Sequence, residues 1–164
     1  MKIEPATIED AARILALQKL AYRSEAEIYN DFSIQPLIQT LEELEGEFRS
    51  HTVFKAIQEG SLVGSVRTTV KGDTCYVGKL IVHPAFENRG IGQALLTRAE
   101  SHAGMIRRFE LFTGYRSERN LYLYRKLGYR EYKRERVNDN LILIFMEKRL
   151  EAIPGHKTDG CSAR

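Results

Sequence analysis

One segment near the middle of the chain constrains the fold most, because it reads as a strand, a turn and the start of a helix. Residues 75–82 form a mostly apolar run bounded by turn residues, which predicts a central strand. Pro84 ends this strand, since proline has no N–H to give to a sheet ladder. After Gly90 the apolar residues recur at helical spacing, at Ile91, Ala94, Leu95, Ala99 and Ala103.

The link between that strand and that helix, residues 87–92, carries two glycines, Gly90 and Gly92. Small residues let the backbone approach a ligand closely, and the first N–H groups of a helix have no partners within the helix. Such N–H groups attract anions, and a pyrophosphate is the natural anion for a strand, loop and helix of this shape. A glycine pair before a helix is also compatible with a simple tight turn.

The longer string from Val82 to Gly92, Val-His-Pro-Ala-Phe-Glu-Asn-Arg-Gly-Ile-Gly, resembles the acetyl-CoA signature of the GCN5-related N-acetyltransferases (GNAT). The family pattern is Gln/Arg-x-x-Gly-x-Gly/Ala, so Gly90 and Gly92 match while Glu87 departs from it. The phosphates are held mainly by backbone N–H groups, and we expect the site to tolerate this departure. The resemblance implies these cofactor-binding residues: Leu80, Ile81, Val82, Glu87, Asn88, Arg89, Gly90, Ile91, Gly92 and Gln93.

A second string, Leu-Tyr-Arg-Lys-Leu-Gly-Tyr at residues 123–129, resembles the late motif of the same family, a short helix ending in Leu-Tyr-x-Lys-Leu-Gly-Phe/Tyr. The resemblance implies that Tyr124 contacts the cofactor and acts in catalysis. The family often has Asn seven residues before this tyrosine, where Ser117 stands here. Asn120, four residues before it, is the favoured cofactor contact, and Ser117 is the open alternative. Taken alone, Tyr124 is also typical of a core aromatic.

The chemistry gives these residues roles. Attack of an amine on a thioester needs a neutral amine, a polarised carbonyl and a thiolate that leaves. A tyrosine hydroxyl, with a pKa of about 10, can protonate the thiolate. The resemblance implies that the backbone N–H of Val82 binds the thioester carbonyl beside a gap in the sheet. It also implies that the segment after the first helix lines the acceptor pocket, which makes Tyr29 and Asp31 candidate substrate residues. Each of the two is equally typical of a solvated loop, and no general base is evident.

The whole pattern predicts one α+β domain over residues 1–150. We expect a mixed, mostly antiparallel seven-stranded sheet flanked by about four helices, as the GNAT resemblance implies. Three strands between residues 51 and 82 are joined by tight turns, which predicts an antiparallel meander. The strands on either side of helix 89–104 should be parallel neighbours. Residues 36–48 carry one helical stripe, residues 23–35 show no clear period, and residues 151–164 read as a flexible tail.

Composition excludes some classes of protein. The net charge of +3 is too small to argue for nucleic acid, and acidic residues interrupt the basic run at residues 125–136. The chain shows no run of 18 apolar residues and no signal-peptide pattern, so neither a membrane span nor secretion is expected. Two cysteines and four histidines have no disulfide or metal-ligand spacing, which favours a metal-free protein of the cytoplasm. Arg67 and Lys79 fall within predicted strands, where a buried cation is unusual.

These features together predict an N-acetyltransferase that moves the acetyl group of acetyl-CoA directly to a primary amine. The acceptor is a small molecule or a peptide or protein N-terminus that the sequence does not identify. Two alternatives stand beside this prediction. One is a non-catalytic acyl-CoA-binding regulatory module, and the other is a nucleic-acid-associated protein. The resemblance also allows a homodimer, although no sequence feature identifies an interface.

Overall fold

The computed structural model describes residues 1–150, and the tail predicted for residues 151–164 lies outside them. The strands are β1 Lys2–Pro5, β2 Thr52–Gln58, β3 Ser61–Lys71, β4 Thr74–Val82, β5 Arg108–Gly114, β6 Arg130–Arg136 and β7 Ile142–Arg149. The α-helices are α1 Ala11–Ala21, α2 Arg23–Tyr29, α3 Gln35–Ile38, α4 Leu41–Glu47, α5 Ile91–His102 and α6 Glu118–Lys126. Single 3₁₀ turns stand at Ile8–Asp10 and Pro84–Phe86. None of the helices within residues 1–150 has the length and apolar character needed to cross a bilayer.

All seven strands belong to one sheet, in the order β1-β2-β3-β4-β5-β7-β6. The strands from β1 to β4 pair antiparallel, β4 and β5 pair parallel, and β7 pairs antiparallel with both β5 and β6. The predicted α+β class, the mostly antiparallel sheet and the parallel β4–β5 pair are therefore confirmed.

Helices cover the sheet on two sides. The larger core cluster joins α5 and α6 to the strands, with Leu95, Leu96, Leu121 and Met146 among its buried members. A smaller cluster joins α1 and α4 to β2, through Ile14, Leu44 and Val53 among others. This arrangement leaves β4 and β5 in the middle of the sheet, with α5 and α6 on one face and the N-terminal helices on the other.

The N-terminal helices differ from the sequence prediction in number. The stripe at residues 36–48 is divided into α3 and α4 at Gln39, whose backbone is extended with φ −57° and ψ 131°. The Gln39 side chain accepts a hydrogen bond from Gln18 at 2.9 Å and donates one to Glu47 at 2.9 Å. Tertiary hydrogen bonds thus hold the break. Residues 23–29, which show no period, form α2, and left-handed Asn30 with φ 47° ends it. Six α-helices result where about four were expected.

Candidate functional site

The centre of the sheet contains an opening between β4 and β5. The two strands pair only at Thr74–Tyr76 with Arg108–Glu110, and no further pairing is recorded between them in residues 1–150. A register shift against β3 and a left-handed backbone at Lys79, with φ 49°, mark a bulge in β4 beyond this point. A bulge bends its strand and sharpens the local twist. We call the opening between residues 77–82 of β4 and residues 111–114 of β5 the gap.

The end of β4 presents backbone groups to the gap. His83 donates its N–H to the carbonyl of Val63 in β3, at 2.8 Å. Because backbone groups alternate in direction along a strand, the N–H of Val82 points away from β3, into the gap. The side chains of Leu80 and Val82 are half-buried, whereas Ile81 is only 4% exposed. By the same alternation the N–H of Ile81 points toward β3, so this predicted cofactor residue offers a ligand in the gap neither its side chain nor its N–H.

The loop at residues 87–92 turns the chain from β4 into α5. Asn88 and Gly90 both have positive φ, at 61° and 80°, and α5 begins at Ile91 directly afterwards. The left-handed backbone explains the glycine at position 90. The side chain of Ile91 is 2% exposed and belongs to the core, so this residue too can offer only its N–H. Gln93 follows on the first turn of α5 and is half-buried.

Glu87 is neutralised by a cation from another element. Arg119 of α6 donates to the Glu87 carboxylate at 2.6 Å and to the side-chain oxygen of Asn88 at 3.2 Å. The Arg89 guanidinium lies 5.0 Å from the ring centre of Phe86. The carboxylate that departs from the family pattern is thus paired with a basic residue of α6, which brings a guanidinium to the 87–92 loop.

Tyr124 lies on α6 and is 6% exposed. Its hydroxyl makes no hydrogen bond to any residue in the range 1–150 that the structure describes. Burial raises the pKa of Tyr124, and the nearby Tyr22 and Glu25 raise it further. The hydroxyl therefore stays protonated and remains available to donate to a ligand.

Asn120, also on α6, donates to the Thr113 hydroxyl at 3.2 Å, at the end of β5 beside the gap. Ser117 is 2% exposed, and its side chain does not cap the helix. Its hydroxyl instead lies 2.7 Å from the Tyr29 hydroxyl and donates to Glu25 at 2.5 Å. Asn120 thus lies beside the gap, whereas the Ser117 side chain is hydrogen-bonded to residues of α2.

Tyr29 packs directly onto the end of β5. It is 4% exposed, and its hydroxyl accepts the N–H of Arg116 at 2.9 Å. A Cβ atom on Gly114 would lie 2.0 Å from the Tyr29 oxygen, so only glycine fits there. Glu25, one helical turn before Tyr29, is brought to the gap by this contact. Burial raises the pKa of the Glu25 carboxyl, while the hydrogen bond from Ser117 opposes that shift.

A polar network lies under β3 on the side of the N-terminal helices. Arg67 is 2% exposed, and donates to Glu47 at 2.7 Å and to Gln18. Its Nε is the one buried side-chain nitrogen or oxygen in residues 1–150 that has no partner. Lys79 lies beside this network on the bulge of β4, where its ammonium donates to Gln35. Burial and the charge of Arg67 lower the pKa of Lys79 to about 8, although Glu47 opposes the shift.

A protein-family model described as an acetyltransferase (GNAT) domain matches residues 49–131, about half of the chain. The matched range contains β4, the 87–92 loop, the gap and α6. The chain belongs to the GNAT acetyltransferase family. The resemblance inferred from the two motifs is confirmed.

The sequence similarity to individual proteins is lower. The chain is 26% identical over 148 residues to the UPF0157 protein YqkA of Bacillus subtilis, which covers 87% of this chain and 42% of that protein. The chain therefore spans about two fifths of the length of this curated relative. The fold is shared with the PaiA N-acetyltransferase of Thermoplasma acidophilum in complex with coenzyme A (TM-score 0.75, 21% identity, 92% and 100% of the two chains). It is also shared with the ribosomal-protein-S18-alanine N-acetyltransferase of Escherichia coli (TM-score 0.77, 16% identity, 94% and 97%).

Within this GNAT domain, the two predicted substrate residues lie in different surroundings. Tyr29 is buried and bonded to Ser117, whereas Asp31 is exposed and accepts hydrogen bonds from the N–H and hydroxyl of Ser33, at 2.9 and 2.6 Å. Their contact with an acceptor stays a prediction.

Sequence reasoning did not single out Glu25 and Arg119, and it noted Arg67 and Lys79 as unusual cations without assigning them a role. The one available signal was the presence of two cations inside predicted strands. No group of three His, Cys, Asp or Glu side chains that could hold a metal ion occurs in the described part of the chain, residues 1–150.

Proposed function

We propose that this GNAT domain transfers the acetyl group of acetyl-CoA directly to a primary amine. The observation that carries the proposal is the Tyr124 hydroxyl, which is protonated, belongs to a side chain that is only 6% exposed, and makes no hydrogen bond within residues 1–150. A tyrosine placed in this way beside an opening in a sheet is suited to act as a proton donor.

The residues around the gap fit coenzyme A. The unpaired edges of β4 and β5 leave backbone groups for a pantetheine arm, which has its own amide groups. The N-terminus of α5, which is twelve residues long, and the 87–92 loop offer N–H groups to a pyrophosphate. The PaiA protein that shares this fold was solved with coenzyme A. Acetyl-CoA, when bound, supplies an acetyl thioester as the acyl donor.

Two groups of the chain act on the thioester. The N–H of Val82 points into the gap and can donate to the thioester carbonyl, where negative charge develops during attack. A backbone donor at such a position is typically worth about 3–4 kcal/mol in the barrier. Tyr124 can then give its proton to the departing thiolate, because burial keeps its hydroxyl protonated until negative charge develops on the sulfur.

Glu25 is the carboxylate placed to receive a proton from the acceptor amine. It lies close enough to Tyr124 for its charge to raise the pKa of that hydroxyl, and its own pKa is raised by burial. A carboxylate with a raised pKa accepts a proton more readily at neutral pH.

Transfer without an acyl-enzyme step is favoured by Cys75. This thiol is fully buried, and burial raises its pKa to about 11, so it is a poor nucleophile. Direct transfer therefore requires that acetyl-CoA and the amine be bound together.

The proposal includes a cytoplasmic location and a small amine or peptide amine as acceptor. Nucleic acid is not part of it. Although β6 is basic, two of its four cations pair with acids of the same strand: Lys133 lies 3.0 Å from Glu135, and Arg134 pairs with Glu131. Such pairs reduce the positive charge that is available to phosphates.

Thermal unfolding with acetyl-CoA, coenzyme A and ATP tests the cofactor site, and turnover of an amine panel tests the catalysis. At a hundredfold excess over the dissociation constant, the coenzyme A compounds should stabilise the protein by about 2.7 kcal/mol, and ATP should not. Stabilisation without turnover of any amine would favour a non-catalytic acyl-CoA-binding module. No stabilisation at millimolar ligand would refute the cofactor site and the enzyme together.

A further inference from the structure

The side of the gap that faces the N-terminal helices contains a lysine without an acidic partner. Lys79 makes no ion pair with any acidic side chain in residues 1–150, and its recorded hydrogen-bond partner is the uncharged amide of Gln35. A lysine ammonium has three donors, so two of them remain for a ligand. The only carboxylate in the neighbouring network, Glu47, is already bonded to Arg67.

The two cations are partly or fully removed from water. Arg67 is 2% exposed and keeps one unpartnered nitrogen, and Lys79 is half-buried. Desolvated charges are unfavourable unless they are paired with charges of the opposite sign. The pKa of Lys79 is lowered for the same reason, since both burial and the charge of Arg67 disfavour the charged ammonium. An anion bound at Lys79 would stabilise this charge.

Tyr22 lies near both the Lys79 ammonium and the Glu25 carboxylate. The Lys79 ammonium lies 6.0 Å from the ring centre of Tyr22, and the charge of Glu25 contributes to raising the Tyr22 pKa to about 12 after the larger effect of burial. Glu25 and Lys79 therefore both lie near the Tyr22 side chain. A single small molecule that carries both charges can reach both residues.

We propose that the acceptor is a small amine that also carries a carboxylate, of the amino-acid class, with its carboxylate bound by Lys79 and its amine delivered beside Glu25. This inference rests on the proposed acetyl transfer and specifies its substrate. Polyamines are disfavoured by the same geometry, because their second ammonium would meet Lys79 and Arg67. Lys79 is a specificity residue here, and Arg67 holds it in a positive field.

Kinetics with matched pairs of acceptors test the proposal at saturating acetyl-CoA. Each pair consists of an amino acid and its uncharged carboxamide, and a set of diamines forms the third arm. We expect kcat/KM for the acids to exceed that for the amides at least tenfold. In Lys79→Met the ratio should fall to about one, mainly through a higher KM for the acid. Lys71→Met removes an exposed lysine at the far end of β3 and should leave the ratio unchanged.

A binding measurement separates this proposal from the proposed function. Thermal unfolding with coenzyme A present should show stabilisation by the acids in the wild type and not in Lys79→Met. If coenzyme A stabilises the protein but amides or diamines bind and react as well as the acids, the carboxylate proposal is overturned while acetyl transfer stands. If coenzyme A itself has no effect, both fall. Acid-selective binding that Lys79→Met abolishes supports the proposal, even where turnover is slow.

Discussion

The two sides of the gap are built from different kinds of groups. On the cofactor side, β4, the 87–92 loop and the start of α5 come from one continuous stretch, and they offer mainly backbone N–H groups. On the acceptor side, the groups are side chains from separate elements: Glu25 of α2, Tyr22 after α1, Arg67 of β3 and Lys79 of β4. A site built from backbone groups should tolerate changes in its side chains, as we expect for Glu87, whereas a site built from side chains depends on each of them. Mutations on the acceptor side should therefore change specificity, and those in the loop should change little.

Tyr124 stands between the two sides, and its substitution should have the largest effect. Tyr124→Phe removes the proton donor and should lower kcat roughly 10²–10⁴-fold with little change in KM for acetyl-CoA. Stability should not fall, since the lost hydroxyl has no partner in residues 1–150. Steady-state kinetics and urea unfolding measure the two effects. Tyr122→Phe, at a 71% exposed position on the same helix, is the control. A loss in kcat below threefold would remove Tyr124 from the chemistry.

Gly114 supports the acceptor side alone. In Gly114→Ala the new Cβ would lie 2.0 Å from the Tyr29 oxygen, so the ring must move and its bonds to Ser117 and Arg116 weaken. Overpacking and two weakened hydrogen bonds together should cost about 3 kcal/mol of unfolding free energy. Amine turnover should fall, while stabilisation by coenzyme A persists.

The control for Gly114→Ala is Gly46→Ala in α4, where a Cβ meets no atom within 4 Å. This change should stabilise by about 0.5–1 kcal/mol, because alanine suits a helix interior better than glycine. Chemical unfolding of both variants checks the pair. Equal stability of Gly114→Ala and the wild type would show that Tyr29 does not fill this position in solution.

The same contrast explains what could be read from the sequence. The strand, loop and helix of the cofactor side were predictable, because period-two and helical patterns meet there around Pro84 and Gly90. The parallel β4–β5 pair followed from its crossover connection. Helix α2 was missed since its fixed position comes from Tyr29 packing on Gly114, a contact between residues far apart in the chain.

The acceptor side could not be predicted from the sequence for the same physical reason. Its charged groups lie far apart along the sequence, and the bulge at Lys79 and the break at Gln39 help to bring them together. Neither feature has a local signal, because Lys79 adopts a backbone that lysine rarely prefers, and tertiary hydrogen bonds hold Gln39. The presence of Arg67 and Lys79 in predicted strands indicated that a buried polar cluster exists, but it did not identify the residues that contact them.

Titration of Lys79 sharpens the contrast on the acceptor side. Its pKa is lowered to about 8 by burial and Arg67, against the opposing charge of Glu47, so the side chain is charged below pH 8 and neutral above it. Affinity for an N-acetylated amino acid, a product that lacks the titrating amine, should therefore fall up to about tenfold between pH 7 and pH 9. Calorimetry across this range measures the change. In Lys79→Arg, whose guanidinium stays charged, the affinity should not vary with pH. A wild-type affinity that is equally flat would contradict the role of Lys79.

The smallest effect is expected in the 87–92 loop, at the pair formed by Glu87 and Arg119. Both side chains are partly exposed, at 34% and 60%, and their bond is screened by solvent, so each change should be limited to about fivefold in affinity for coenzyme A. The direction of each change in affinity distinguishes the roles of the two residues. Arg119→Ala leaves the Glu87 charge unopposed beside the phosphates and should weaken binding, whereas Glu87→Gln frees the Arg119 guanidinium and should not. The double variant should bind within about twofold of the wild type, because it removes both charges. Calorimetric titration of the four proteins forms a double-mutant cycle. Weaker binding by Glu87→Gln than by Arg119→Ala would mean that the carboxylate itself supports the loop, and that the backbone alone does not determine the cofactor side.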